Sequence, residues 1–155
     1  MPLEVGTKAP EFTLNDMNNQ PVSLSSLREG GRNVLLVFYP FAFSGICTSE
    51  MCELRDDLGA FVNDGVVTVA ISCDPFFTLR AWAEHEGLKF TLLSDFWPHG
   101  AVSTLYGVFN ERGGMANRGT FLLDADGIIR FAEMNMPGEA RDQSSWKEAL
   151  AGLPA

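Results

Sequence analysis

The residues of this 155-residue chain best suited to chemistry are its three cysteines, Cys47, Cys52 and Cys73. An odd number leaves at least one thiol free in any intramolecular pairing, so the sequence does not predict a disulfide framework. A zinc site would also need His85 or His99, and no C-x-x-C pair supplies two close ligands, so no metal is expected. The cysteines are therefore either inert core residues or redox-active thiols.

Cys47 lies where a strand, a short loop and a helix are predicted to follow one another. The apolar run 34–39 predicts a buried central strand, and Pro40 ends it because proline cannot continue a central ladder. The start of the next helix offers unpaired N–H groups and the positive end of the helix dipole, which stabilise a thiolate. Ser44 is positioned to cap this helix or to form a hydrogen bond near the sulfur. Position alone leaves open whether Cys47 reacts or only packs.

The rest of the chain predicts the elements that would position this cysteine. Strands alternate with helices at first, and a late hairpin and a closing helix follow. The predicted strands cover 34–39, 66–72 and 90–93, the hairpins cover 12–24 and 119–133, and the helices cover 47–62, 74–86, 98–105 and 143–150. This order places an antiparallel pair on a partly parallel sheet, as in thioredoxin-like folds. We expect residues 1–155 to form one α/β domain with a central mixed sheet, flanking helices and an N-terminal β-hairpin.

The amino-acid composition of the chain excludes several classes of function. The chain carries 11 basic and 20 acidic residues, a formal charge of −9, and 46% of its residues are hydrophobic. That much apolar material supports a real core, while the acidic surface would be repelled by nucleic acid and by anionic lipid. The longest apolar stretch, 34–38, is far too short for a membrane span, and residues 1–4 show no signal-peptide pattern. We expect a cytosolic protein without nucleic-acid or membrane partners.

The segment from Pro40 to Cys47, PFAFSGIC, resembles the active-site pattern P-x-x-x-[T/S]-x-x-C of the peroxiredoxins. Similarity to this family extends through residues 6–14 and 118–131, and similarity to its AhpE-type branch is found at 94–100 and 106–110. The resemblance implies a thioredoxin-like fold and a thiol-dependent peroxidase that needs no metal, haem or flavin. It also implies a homodimer.

The same resemblance implies roles for individual residues. Cys47 matches the peroxidatic cysteine, whose thiolate attacks the terminal peroxide oxygen and becomes a sulfenic acid. Arg118 matches the family arginine, whose multi-donor cation stabilises the thiolate and polarises the O–O bond. Ser44 stands where the family usually carries threonine and retains the hydroxyl, and Pro40 would shield the thiolate from water. Glu50, one helical turn after Cys47, is expected to orient Arg118, unless it is a solvated surface residue.

Cys52 departs from the AhpE-type pattern, which generally lacks a cysteine at this position. The spacing C-x-x-x-x-C resembles instead the bacterioferritin-comigratory (PrxQ) branch, in which the second cysteine resolves the first as an intramolecular disulfide. On an intact helix the two Cα atoms would lie about 8.6 Å apart on opposing faces, beyond the ~7 Å limit for a disulfide. The first turns would have to unwind, which we expect because few apolar anchors precede Leu54. The alternative is that Cys52 only packs.

The sequence therefore predicts an AhpE-like peroxiredoxin that reduces hydrogen peroxide and small organic hydroperoxides, with peroxynitrite as a further candidate. Its reductant would be thioredoxin if Cys52 resolves, and a low-molecular-weight thiol with a glutaredoxin-like protein if it does not. Two other functions stay open: a disulfide oxidoreductase, although C-x-x-C is absent, and a non-catalytic redox-sensing or chaperone-like module. Cys73 is expected to be a buried inert thiol, with a resolving role as its alternative, and His85 and His99 are expected to be structural.

Overall fold

The strands of the protein lie close to the apolar runs that predict them, in a computed structural model that describes residues 1–153. In chain order the strands are β1 (Thr13–Asp16), β2 (Pro21–Ser23), β3 (Asn33–Phe38), β4 (Val66–Ser72), β5 (Thr91–Ser94), β6 (Phe109–Asn110), β7 (Met115–Ala116), β8 (Arg118–Leu123) and β9 (Ile129–Asn135). The α-helices are α1 (Leu24–Leu27), α2 (Gly45–Asp56), α3 (Leu58–Phe61), α4 (Phe76–Glu86), α5 (Ala101–Leu105) and α6 (Gln143–Ala151), and a 3₁₀ turn covers Glu29–Gly31. Within residues 1–153, no helix combines the length and the hydropathy needed to cross a membrane.

Seven of the strands in the described part of the chain form one mixed sheet in the order β2-β1-β5-β4-β3-β8-β9. Strand β3 pairs in parallel with β4 and antiparallel with β8, so Val37 lies between Ala70 and Thr120. Because β3 has a neighbour on both sides, its residues 34–38 are fully buried. Strands β1 and β2 form the expected N-terminal hairpin. The mixed sheet with flanking helices confirms the predicted thioredoxin-like α/β fold.

Each face of the sheet has its own core, because successive side chains of a strand point to opposite faces. Val37 lies in one core together with Trp82 of α4 and Trp146 of α6. Phe38, the next residue of β3, lies in the other core. Cys47 belongs to the core of Val37. Helices α2, α4 and α6 therefore pack on the same side of the sheet, and Cys47 lies in the core that they share.

Besides the short helix α1, which the sequence does not predict, the structure differs from the sequence prediction in two places. The helix predicted over 47–62 is two helices, because Asp57 has φ −120° and ψ 33°, outside helical geometry. The amide of Asp57 donates to the carbonyl oxygen of Leu54 at 3.3 Å, which closes the last turn of α2. The sequence also does not predict the separate hairpin of β6 and β7, since two residues per strand are too few to show the period-two alternation of a strand.

Candidate active site

Cys47 is the third residue of α2 and follows the carboxyl end of the central strand β3. Its side chain is fully buried. Ser44 directly precedes the helix, and its carbonyl oxygen accepts a hydrogen bond from the amide of Thr48 at 2.9 Å. Its hydroxyl makes no side-chain cap and donates instead to the carbonyl oxygen of Phe41 at 3.0 Å. The hydroxyl therefore does not form the side-chain cap, one of the two roles open to Ser44, because it closes the loop in front of the helix.

A partly buried carboxylate, that of Asp74, holds the loop between β3 and α2, and the sequence analysis did not single it out. Ala42 donates its amide to Asp74 Oδ2 at 2.9 Å, and Ser72 donates its hydroxyl to the same oxygen at 2.7 Å. Burial raises the pKa of Asp74, although these two hydrogen bonds act in the opposite direction. Phe43 in this loop has a φ of 70°, which is rare for a residue other than glycine. Pro40, at the start of the loop, is buried.

Arg118 is the first residue of β8, and its guanidinium is almost completely buried. Its Nη1 donates to Glu50 Oε1 at 2.7 Å, and its Nε donates to the carbonyl oxygen of Pro137 at 3.0 Å. Glu50 is only 3% exposed, so it is not a solvated surface residue. The structure therefore brings Glu50 and Arg118 together, one helical turn beyond Cys47.

Arg141, just before α6, holds the second oxygen of the same carboxylate. Its backbone amide and Nε donate to Glu50 Oε2 at 2.8 and 3.1 Å, and its Nη2 donates to Glu50 Oε1 at 2.8 Å. Its Nη1 donates to the carbonyl oxygens of Phe38 and Gly119, at 2.7 and 3.1 Å. One guanidinium thereby links α2 to the two central strands β3 and β8.

The charge state of Glu50 follows from these contacts. Burial by itself raises the pKa of Glu50, but the hydrogen bonds and charge of Arg141, together with the charge of Arg118, hold it below its ordinary value. Gln143 adds a hydrogen bond from its Nε2 to the backbone carbonyl oxygen of Glu50 at 2.9 Å. Glu50 is therefore an ionised carboxylate that fixes the position of both guanidinium groups.

Sequence reasoning missed Arg141 and Gln143, although both hold the centre of the site. Arg141 lies 91 residues from Glu50 in an irregular segment, outside any motif. One available signal is Glu50 itself, because a carboxylate on the buried face of a helix requires cationic or donor partners. The resemblance indicated one such partner, Arg118, but the sequence did not indicate that Arg141 and Gln143 are the others.

A cavity of about 330 Å³ opens at the start of α2, on the side of Arg118. Its wall contains one guanidinium and one hydroxyl among mostly apolar side chains. The lining residues are Pro40, Phe41, Ser44, Gly45, Ile46, Met115, Arg118 and Pro137. A small molecule in this cavity would meet a fixed cation at its inner end and apolar contacts elsewhere. Such a site suits a reaction in which negative charge develops on an oxygen atom of an otherwise apolar molecule.

Cys52 lies in the middle of the unbroken helix α2 and is partly buried. Its Sγ lies 3.4 Å from Glu86 Oε2 at the end of α4, as a donor to the carboxylate. Burial and this hydrogen bond raise the pKa of the Cys52 thiol. Few apolar anchors precede Leu54, as expected, but Met51 is buried in the core and Glu50 is held by two arginines. Unwinding the start of α2 would disrupt both.

Cys73 follows the end of β4 and is buried. Burial, with the nearby negative charge of Asp95, raises the pKa of Cys73 to about 12. The thiol is therefore protonated at neutral pH, as expected of an inert core cysteine. Among residues 1–153, no three histidine, cysteine, aspartate or glutamate side chains cluster closely enough to hold a metal ion.

Comparison with known proteins finds relatives along nearly the whole chain. Residues 5–132 match the model of the AhpC/TSA family. The chain is 59% identical over 153 residues to alkyl hydroperoxide reductase E of Mycobacterium tuberculosis, covering 99% of each sequence. It is 39% identical over 134 residues to peroxiredoxin Bcp of Escherichia coli, covering 83% of each.

Solved structures show the same similarity in three dimensions. The crystal structure of peroxidoxin BcpB from Mycobacterium tuberculosis matches with a TM-score of 0.86 and 28% identity, covering 99% of each chain. Reduced 2-Cys peroxiredoxin of Plasmodium vivax matches with a TM-score of 0.85 and 29% identity, covering 97% of this chain and 81% of the other.

Proposed function

The chain belongs to the AhpC/TSA family and is an AhpE-like peroxiredoxin, a thiol-dependent peroxidase, and on this premise we propose that Cys47 is its peroxidatic cysteine. The observation that carries the proposal is the position of Cys47 at the start of α2, directly after Ser44, Gly45 and Ile46, which line a cavity together with Arg118. A helix start and a fixed guanidinium both favour a thiolate over a thiol. Cys73 has neither a helix start nor a cavity arginine beside it, because it follows the end of the buried strand β4.

The proposed reaction is a displacement at oxygen. The Cys47 thiolate attacks the terminal oxygen of a hydroperoxide, so an S–O bond forms while the O–O bond breaks. The sulfur is oxidised to a sulfenic acid, and the peroxide is reduced to an alcohol, or to water, after the departing oxygen takes up a proton. Arg118 donates hydrogen bonds to the oxygen on which charge develops, and Glu50 keeps its guanidinium in place. The chain's own residues supply the thiolate, the guanidinium and the carboxylate.

Organic hydroperoxides fit the cavity as well as hydrogen peroxide does. Pro40, Phe41, Ile46, Met115 and Pro137 offer apolar contacts to an alkyl group. We therefore propose hydrogen peroxide and organic hydroperoxides as the substrates, with peroxynitrite as a further candidate. A homodimer in the cytosol remains part of the proposal by analogy with the family.

We further propose that Cys52 resolves the sulfenic acid. Its thiol sulfur would bond to the sulfur of Cys47, the sulfenic oxygen would leave as water, and the dithiol of thioredoxin would then reduce the disulfide. Because both cysteines lie in α2, this step requires residues 47–52 to leave the helix. The alternative is reduction of a persistent sulfenic acid by a low-molecular-weight thiol with a glutaredoxin-like protein. The hydrogen bond from Cys52 to Glu86 favours the alternative, since it keeps the thiol protonated.

Intact mass spectrometry after one equivalent of peroxide tests the site and separates the two recycling routes. A gain of one oxygen atom, located on Cys47 by peptide mapping, indicates a persistent sulfenic acid. A loss of two hydrogen atoms, with a peptide that joins Cys47 to Cys52, indicates the intramolecular disulfide. Oxidation confined to Cys52 or Cys73 would contradict the proposed site.

Cys52→Ser is expected to leave the first oxidation step nearly unchanged, because that step uses Cys47 and Arg118. Thioredoxin-coupled turnover should fall about tenfold or more, since no internal thiol then captures the sulfenic acid. Cys47 should also become prone to overoxidation to the sulfinic acid. Coupled assays and mass spectrometry measure these outcomes, with Cys73→Ser as the matched control. Full thioredoxin-coupled turnover by Cys52→Ser would remove Cys52 from the cycle.

Arg118→Ala is expected to slow oxidation of Cys47 about 10²-fold, because the cation proposed to stabilise the thiolate and the departing oxygen is lost. Arg118→Lys should recover only part of the rate, since an ammonium group cannot reproduce the two-sided contacts with Glu50 and Pro137. Stopped-flow oxidation at several pH values measures both effects. Arg130→Ala on β9, where the arginine is half exposed, is the control. An unchanged rate in Arg118→Ala would exclude this arginine from the site.

A further inference from the structure

The hairpin formed by β6 and β7 supplies one wall of the proposed substrate cavity. Met115, the first residue of β7, lines the cavity together with Arg118. The Met115 side chain folds back over the turn of the hairpin, so closely that a Cβ at Gly113 would collide with its Sδ. The position of this apolar wall therefore depends on the position of the turn.

The hairpin of β6 and β7 is too small to be stable without contacts to the rest of the protein. Its strands have two residues each, they are not part of the seven-stranded sheet, and a two-stranded hairpin is marginally stable in isolation. Asn110 closes the turn from within, because its Oδ1 accepts from the amide of Gly113 at 3.0 Å and its carbonyl oxygen accepts from the amide of Gly114 at 2.8 Å. Those bonds shape the turn but do not connect it to the segment between β5 and α5.

His99, which lies between β5 and α5, makes that connection. Its Nε2 lies 2.7 Å from the carbonyl oxygen of Gly114, and its Nδ1 lies 3.2 Å from the carbonyl oxygen of Phe96. The ring also packs edge-to-face against Phe96 and against Phe109 of β6, with centroid distances of 6.0 Å in each case. The acceptor at Gly114 belongs to the peptide bond that leads into Met115. The imidazole therefore holds the main chain next to Met115, the hairpin residue that lines the cavity.

We infer that His99 is a positioning residue that raises the rate of reaction with organic hydroperoxides relative to hydrogen peroxide, by holding Met115 against the alkyl group of the substrate. The inference rests on the proposed function of Cys47. The imidazole does not touch the reacting atoms, so its effect is on which peroxide reacts. Hydrogen peroxide has no alkyl group to contact Met115, whereas cumene hydroperoxide has a large one. Loss of the contact should therefore slow the second substrate more than the first.

Three variants of His99 separate its hydrogen bonds from its packing. His99→Gln can place an amide nitrogen near the position of Nε2 and so keep the bond to Gly114. His99→Asn can reach only the position of Nδ1 and the carbonyl oxygen of Phe96. His99→Phe keeps the aromatic packing and loses the polar contacts of both ring nitrogens. Stopped-flow rate constants for oxidation of Cys47 by cumene hydroperoxide and by hydrogen peroxide give a ratio for each variant.

The ratio of the two rate constants is expected to fall about fivefold in His99→Phe and His99→Asn and to recover in His99→Gln. A merely structural role would slow both peroxides equally and leave the ratio unchanged. Equal ratios in all variants, or a His99→Gln ratio as low as that of His99→Asn, would overturn the inference.

A double-variant cycle with Met115→Ala tests whether His99 acts through Met115. If it does, His99→Phe should lower the ratio no further once Met115 is alanine, because the residue it positions has been removed. Additive losses would overturn the inference. Failure of the unaltered protein to oxidise Cys47 with hydrogen peroxide would instead overturn the proposed function itself, and with it this inference.

Discussion

Replacement of Cys47 by serine is expected to abolish peroxide consumption, with a loss of at least about 10³-fold in the rate constant. A serine hydroxyl is not ionised at neutral pH and cannot attack a peroxide oxygen at a comparable rate. Neither remaining cysteine lies at a helix start, and the pKa of each thiol is raised, that of Cys73 to about 12. Peroxide consumption followed with each hydroperoxide, in the presence of a thiol reductant, measures the loss.

The matched controls are Cys73→Ser and the double variant Cys52→Ser/Cys73→Ser, which leaves Cys47 as the single thiol. The double variant should still show stoichiometric oxidation by one equivalent of peroxide. Substantial consumption by Cys47→Ser, carried by either remaining cysteine, would refute the assignment of the peroxidatic residue.

Glu50→Gln is expected to give the second large effect, a loss of about 3–5 kcal/mol in the free energy of unfolding. The amide has nearly the shape of the carboxylate, but it leaves Arg118 and Arg141 as buried cations without a counter-charge. Its NH₂ group would also face a guanidinium donor where an oxygen now accepts. Oxidation of Cys47 should slow as well, since Arg118 loses the group that fixes it. Denaturant unfolding and stopped-flow oxidation measure the two effects.

Glu53→Gln is the control for this variant, because Glu53 is one turn further along α2 and exposed. Its unfolding free energy should change by no more than about 0.5 kcal/mol. Because the folded pKa of Glu50 is lowered from 4.5, its stabilisation is fully present above that value and is lost as the pH falls through the folded pKa. The difference between the unaltered protein and Glu50→Gln should therefore shrink in acid. A constant difference from pH 7 to pH 3 would contradict this account of the cluster.

Periodicity was enough to predict the parts of the fold that depend on local pattern. Strand β4 covers the predicted 66–72, and α4 ends at Glu86, followed by Gly87 in the left-handed conformation with φ 66°. Both signals are strong because a buried parallel strand is apolar at every position and a glycine is favoured just beyond a helix. The resemblance to the peroxiredoxins then indicated Cys47 and Arg118.

The contacts that complete the site could not be predicted in the same way. Arg141 and Asp74 act through single side chains held by tertiary packing, and neither belongs to a periodic pattern or to the motif. His99 was expected to be structural, because it has no evident place in the peroxide reaction. The carbonyl groups that it contacts lie in a loop and in a turn without a sequence signature. Local pattern predicts which face of a helix or strand is buried. It does not predict which polar groups of two different elements form hydrogen bonds with each other.

The buried cluster around Glu50 has an unequal charge count. Two guanidinium groups, those of Arg118 and Arg141, face one carboxylate, which leaves one positive charge in excess inside a protein whose whole chain carries −9. A thiolate at Cys47 adds a second negative charge and balances the two guanidinium groups, whereas a neutral sulfenic acid or a disulfide adds none. On the proposed assignment, the resting enzyme is therefore the form in which the charges of this cluster and of Cys47 sum to zero. Each turnover passes through a form with one uncompensated cation in the cluster, and only reduction of the sulfur removes this imbalance.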